Sequence, residues 1–266
     1  MRCRRCWSLR HDDGRALAVN LSLGAILIVA VFLTATLSGV YGMVGGMVLL
    51  WVLLLLMPVS AAIAVQGVLQ LVANVSRAWF ARAHIDWRII GVSMIGLVAA
   101  LGVLAAVSYT PNLAVVSICV GLLPITIWVP VRWISLDAAR PPQALVCGFL
   151  SGILNVGIGV AGPVVDIFFA RTQMDRRTVI ATKATMVGVS HLAKIVFYST
   201  ALSQITQSDA LAILLAAPFS VLGSMAGHRI LVRLTNESFR TGTRWLVTGV
   251  GAFFFVQGVY LLATGG

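Results

Sequence analysis

The sequence predicts an all-α polytopic membrane protein made of two similar halves, with helices broken by glycine. Three observations carry that reading. Of the 266 residues, 59% are hydrophobic and only 10% charged, against about 25% charged in an average soluble domain. Such a chain cannot cover the surface of a water-soluble globule. The apolar residues form long continuous runs, not the short alternating segments of a transmembrane barrel. Finally, two glycine-rich stretches recur at one fixed spacing. The composition excludes a cytosolic enzyme, a disordered chain and a disulfide-rich secreted module.

Ten apolar segments follow in order: 21–41, 43–57, 60–81, 89–108, 112–130, 143–158, 163–171, 179–201, 209–228 and 245–263. A spanning helix needs about 20 residues. The first, third, fourth, fifth, eighth, ninth and tenth segments reach or approach that length. Segment 43–57 is shorter, and 163–171 is half a span. Pro58, Pro111, Pro130 and Pro163 mark breaks, because proline lacks an N–H and collides with the preceding turn. These boundaries divide the chain into an Arg/Cys-rich tail (1–20), a first transmembrane repeat (21–131), a cytoplasmic linker (132–142) and a second repeat (143–266).

The tail resembles the charged start of a signal peptide. The apolar stretch after it runs too long and shows no small-residue cleavage site, so the tail is expected to be retained. Cys3 and Cys6 form a lone CxxC, a weak signal for zinc or redox work. Cys119 and Cys147 read as packing residues within or beside apolar runs. No P-loop, metal-ligand cluster or catalytic set is visible, so no cofactor, metal or enzymatic activity is expected.

The net charge is +11, from 19 Lys and Arg against 8 Asp and Glu. In a soluble protein this would suggest nucleic acid. Here the cations sit mostly between apolar runs, where they serve orientation and contact with anionic lipid headgroups, and no nucleic-acid partner is expected. Arg77, Arg82 and Arg88 close or follow segment 60–81. Arg132 and Arg140 precede 143–158, Arg171, Arg176 and Arg177 follow 163–171, and Arg229, Arg233, Arg240 and Arg244 precede 245–263. With these connectors cytoplasmic, the segments from 60–81 onward alternate consistently and the C-terminus lies outside. Ten full crossings then put Arg2, Arg4, Arg5, Arg10 and Arg15 outside too, against the rule. A segment 43–57 that dips and returns would restore a cytoplasmic N-terminus.

Residues 32–47 read FLTATLSGVYGMVGGM, and residues 149–164 read FLSGILNVGIGVAGPV. A shift of 117 residues aligns Phe32 with Phe149, Leu37 with Leu154, Gly42 with Gly159 and Gly45 with Gly162. The same shift sets Gln66 on Lys183, Asn74 on His191, Arg77 on Lys194 and Phe80 on Phe197. Five segments per repeat would invert the second copy and place a site at the midplane, where broken helices meet. Four spans per repeat would make the copies parallel; the basic connectors favour inversion.

Two features then point to a site. Gly42, Gly45 and Gly46 separate the first two segments, and Gly157, Gly159, Gly162 and Pro163 separate 143–158 from 163–171. Breaks at membrane depth are tolerated where they line a cavity, and the helix start beyond a break presents N–H groups suited to an anion. Close helix packing is the other use of such glycines, and Gly223-xxx-Gly227 reads that way. The second feature is polarity within apolar runs. At about 100° per residue, Lys183, His191 and Lys194 share one helix face, as do Gln66, Gln70, Asn74 and Arg77. Lys183 and Arg77 can instead snorkel to headgroups, and Gln70 and Asn74 can bond helix to helix. Asp166 is the acid inside an apolar run, suited to pair with one of these cations. The cationic interior favours an anion.

The stretches FLTATLSGVYGMVGGM, FLSGILNVGIGVAGPVVD and ATKATMVGVSHLAKIVFY together resemble the TauE/SafE family of sulfite exporters and anion permeases, over about residues 22–263. Gly162-Pro163 stands where the first joint has the glycine pair. The resemblance implies a multi-pass protein of the bacterial inner membrane. It also implies secondary transport of a small anion such as sulfite, a sulfonate or a carboxylate, by alternating access. The expected site comprises the two joints, with Gln70, Asn74, Arg77, Asp166, Lys183, His191 and Lys194. A coupling proton, with His191 as one carrier, and a homo-oligomer are compatible with this picture. A passive anion channel, or a cation transporter using Asp166, is the alternative.

Overall fold

A computed structural model of the chain describes residues 24–130 and 136–264. The tail with Cys3 and Cys6, and Arg132, lie outside the described residues. Among the described residues twelve α-helices run in order: α1 Gly24–Tyr41, α2 Val44–Leu56, α3 Val59–Phe80, α4 Trp87–Ala106, α5 Leu113–Leu122, α6 Ile125–Trp128, α7 Pro141–Ile158, α8 Gly162–Phe169, α9 Arg176–Phe197, α10 Ser199–Ser203, α11 Gln207–Leu231 and α12 Asn236–Thr264. No strand occurs among the described residues. Among the described residues seven helices are long and apolar enough to cross a membrane: α1, α3, α4, α7, α9, α11 and α12.

Two expectations about the spans are corrected. Segment 112–130 is not one helix. Pro124 cannot donate to the carbonyl four residues back, so the chain turns at Leu123–Pro124 and divides into α5 and α6. Segment 143–158 is longer than expected, starting at Pro141 with Pro142 next. Prolines in the first turn cost nothing there, because those N–H groups have no intrahelical partner.

Polar caps set four helix starts. Asp86 accepts from the amides of Arg88 and Ile89 to open α4, and Asn112 accepts from those of Ala114 and Val115 to open α5. Asp175 and Thr206 do the same for α9 and α11. Each side-chain oxygen satisfies amides that the first turn leaves free, worth about 1 kcal/mol per cap.

The helices pack through small residues. In α1 and α11, Gly24 lies beside Ala212, and Gly39 beside Ser224 and Gly227, so the two helices run parallel. A Cβ on Gly227 would strike the Thr36 carbonyl, so this glycine serves close packing, as its sequence context predicts. In α4 and α7, Ser93 donates to the Ala144 carbonyl at 3.2 Å and Ala100 sits against Gly152, so these helices are also parallel. The central pair is antiparallel: in α3 and α9, Gln66 meets Lys194 while Asn74 lies beside Gly188. In α5 and α12, Ile118 meets Gly258 while Gly121 meets Phe255, again antiparallel.

This packing gathers the basic connectors on one face. The end of α3 lies beside the start of α9, and the start of α4 beside the start of α7. Arg77 near the end of α3 reaches Ser224 near the end of α11. Gly24 lies beside Ala212 at the opposite end of α11. The half of the bundle away from the basic face is filled by an apolar cluster that includes Met47, Leu50, Ile63, Ile158 and Tyr198. Large apolar side chains such as Val98, Leu214 and Val256 cover the outside, as a lipid-facing surface requires.

Candidate functional site

Both joints turn on a glycine in the left-handed region. Gly42 has φ +71° and Gly159 has φ +84°. Backbone of this hand costs an ordinary residue roughly 1–2 kcal/mol and glycine nothing. These two residues are equivalent under the shift of 117, and they are the glycines with positive φ among the described residues. The chain reverses after each, so that α2 runs back along α1 and α8 along α7. A Cβ on Gly45 would strike the Thr34 carbonyl and the Ser38 amide, which makes Gly45 the point where α2 closes on α1. A Cβ on Gly162 would come within 2.6 Å of the Met43 Cβ, so the two joints touch each other.

A break inside a bilayer frees carbonyls that have no water to bond, and each needs a donor. Nearby side chains supply donors. Tyr198 donates to the Val156 carbonyl at 2.9 Å, Tyr109 to that of Gly157 at 2.9 Å and Lys194 to that of Gly159 at 3.2 Å. At the first joint, Ser38 donates to the Gly42 carbonyl at 2.7 Å, and Gln66 adds a bond to the Gly46 carbonyl, inside the first turn of α2, at 3.2 Å.

A cavity of about 230 Å³ opens between the joints and the facing stripes of α3 and α9. Of the residues expected from sequence, Gly42, Gly46, Gln70, Asn74, Arg77, Gly159, Gly162, Asp166, Lys183 and His191 line it. Gly45 and Pro163 are buried behind the wall. Lys194 is also behind it, wholly enclosed, and donates to Gln66 Oε1, Asn155 Oδ1 and the Gly159 carbonyl. The three residues placed on one face of α9 therefore part company. Lys183 and His191 face the cavity, while Lys194 ties the joints together beneath it.

The buried end of the cavity is lined by Gln66, Asn155 and His191, each 5% exposed or less, and it opens where Lys183 and Asp166 form an ion pair, with side chains 33% and 41% exposed. That mouth lies toward the start of α9, on the basic face. Lys183 does not snorkel away; it pairs across to α8. Arg77 donates to Ser224 Oγ at 3.1 Å and makes no ion pair among the described residues. Three cations, Arg77, Lys183 and Lys194, thus stand against one carboxylate, Asp166. The apolar part of the wall includes Met43, Val160, Val165, Val179 and Val187.

Several functional residues escaped sequence reading. Ser38 and Asn155 each lie four residues before a positive-φ glycine and are equivalent under the shift of 117. That coincidence was the available signal. Tyr109 and Tyr198 carried none, because their partners are backbone carbonyls of a distant helix. Cys147 is buried and Cys119 half-buried, and no group of three potential metal ligands occurs among the described residues.

Comparison with curated proteins and with solved structures gives no match. Residues 27–254 match the family model of the sulfite exporter TauE/SafE. With its apolar helices and its glycine joints inside that span, the chain belongs to the TauE/SafE family of sulfite-exporter-type, multi-pass membrane transporters.

Proposed function

We propose that the protein is a secondary transporter of a small anion in the bacterial inner membrane, working by alternating access, with the cavity between the joints as its binding site. The observation that carries this reading is Arg77. Its guanidinium lines a mostly apolar cavity near the end of the spanning helix α3 without a carboxylate partner, and a cation so placed calls for an anion. Lys183, the His191 ring and the joint backbone complete the lining. Sulfite, sulfonates and small carboxylates are the candidate substrates. The cation-transporter alternative is disfavoured, because the Asp166 carboxylate is already engaged by Lys183.

The two halves are proposed to be an inverted repeat. Under the shift of 117, α1 superposes on α7 and α3 on α9 end for end, Gly24–Tyr41 on Pro141–Ile158 and Val59–Phe80 on Arg176–Phe197. The equivalent helices α3 and α9 pack antiparallel. Antiparallel equivalents support a pseudo-twofold axis in the membrane plane. The mouth on the basic face corresponds to a cytoplasm-open state, closed on the other side by the cluster around Leu50, Ile63 and Tyr198. Rocking of one half against the other would exchange the open side.

The test is uptake of radiolabelled sulfite, sulfate, thiosulfate, taurine and sulfoacetate into proteoliposomes, with and without a pH gradient. Saturable flux of one anion is the expected result. Absence of flux of every anion in both orientations, from folded protein, would overturn the reading. Flux without saturation would make it a channel.

A further inference from the structure

Lys194, Asn155, Ser190 and His191 form a chain of hydrogen bonds. As an ammonium Lys194 only donates, and its contact with Asn155 at 3.2 Å is to the amide oxygen. The Asn155 Nδ2 group therefore faces the other way, 2.6 Å from Ser190 Oγ and 3.4 Å from His191 Nδ1. Ser190 places its own proton on the Val187 carbonyl at 2.9 Å, which leaves its oxygen to accept. An amide NH2 offers only protons, so His191 Nδ1 must accept and carries none. The ring proton is then on Nε2. That atom has no partner among the described residues and is not sealed in protein, while His191 lines the cavity and is 5% exposed.

We infer that Lys194 and Asn155 are positioning residues that fix His191 as the neutral Nε2–H tautomer, so that His191 offers the anion a permanent N–H donor and does not carry a coupling proton. This deepens the proposed anion site and rests on it. Lys194 also holds Gln66 by its amide oxygen, which turns the Gln66 NH2 onto the Gly46 carbonyl. One buried ammonium thus orients both amides that serve the joints, and its three N–H groups meet three acceptors. The charged groups around His191 are Lys194 and Lys183 on its own helix, Arg77 on α3 and Asp166 on α8; α7 carries no charged residue, and α4 carries only Arg88, at its exposed start.

The direct test is 15N NMR of ring-labelled histidine in the full chain in liposomes, with no ligand added. The chain has four histidines, His11, His84, His191 and His228, and His191→Gln assigns the one that matters. The expected signal is a single neutral Nε2–H ring from about pH 6 to 8. In Asn155→Asp, the carboxylate still accepts from Lys194 but now accepts from the ring too, so His191 Nδ1 becomes protonated. A wild-type ring with Nδ1–H, a mixture of tautomers, or an unchanged ring in Asn155→Asp overturns the relay. The wild-type spectrum decides even where the variant fails to fold.

Transport supplies the second readout. The ratio of His191→Gln to wild-type uptake of labelled sulfite should be flat across that pH range, and taking the ratio removes the titration of sulfite itself. The Asn155→Asp ratio should bend with pH. His191→Ala should lose roughly tenfold in apparent affinity or more, the fold-equivalent of one hydrogen bond to a charged group. A sigmoidal His191→Gln ratio would make His191 a proton carrier and refute the inference. Correct tautomers with no anion flux at all would instead sink the transport reading.

Discussion

Alanine at three glycines separates the conformational demand of the joint from packing. Gly249 lies in α12 with open space where a Cβ would go. Alanine there only improves helix propensity, by up to about 1 kcal/mol. Gly42 also has open space, with nothing within 4 Å, but its φ is +71°. Alanine at Gly42 therefore meets backbone strain alone, about 1–2 kcal/mol. Gly45 is helical, but its Cβ would press on the Thr34 carbonyl and lie 2.6 Å from the Ser38 amide. Both neighbours are backbone and cannot swing aside, so α2 must move off α1, at about 3 kcal/mol or more. Thermal unfolding of detergent-solubilised protein, followed by tryptophan fluorescence, reads the series. At roughly 2–4 °C per kcal/mol for a chain of this size, Gly249→Ala should match or exceed wild type. Gly42→Ala should fall by roughly 2–8 °C, and Gly45→Ala further. Gly42→Asn should fall less than Gly42→Ala, because asparagine tolerates the left-handed region. Equal Tm values for Gly42→Ala and Gly249→Ala would refute the left-handed joint. A Gly42→Asn loss as large as that of Gly42→Ala would refute the conformational explanation.

Two further outcomes follow from the cavity. Arg77→Gln removes the unpaired charge but keeps an N–H, and should weaken anion affinity about tenfold or more. Arg77→Lys should be intermediate, since it keeps charge without the planar fork; unchanged half-saturation in Arg77→Gln would remove Arg77 from the site. With the native cysteines replaced, Ala184→Cys on the cavity wall should react with an impermeant thiol reagent in inside-out vesicles, while the enclosed Leu50→Cys should not. Labelling of Ala184→Cys from the outer face alone would reverse the assigned sidedness.

Much of the architecture was legible because it is written locally. Apolar run length separates helices that can span from those that cannot, and a glycine cluster flanked by such runs marks a break. The shift of 117 pairs Gly42 with Gly159 and Gly45 with Gly162 with no gap, and the first pair are the positive-φ glycines among the described residues. The polar stripes of α3 and α9 were legible from helical periodicity. Pro124 was missed because an apolar run continues through it, and the divided helix follows from one absent N–H.

What the sequence determined by itself is therefore the membrane class, the family, the joints and the residue types that gather near them. Only the tertiary structure decided what each polar group does. Lys183 and Lys194 lie on one helix face, yet one closes an ion pair at the mouth and the other is sealed beneath the floor. Their partners decide this. Lys194 meets Gln66 128 residues away and Asn155 39 residues away, and no local pattern encodes such meetings. The physical reason is that periodicity fixes the direction of a side chain from its own axis. Whether that direction holds a cavity, a carboxylate or a freed carbonyl depends on which helix packs there.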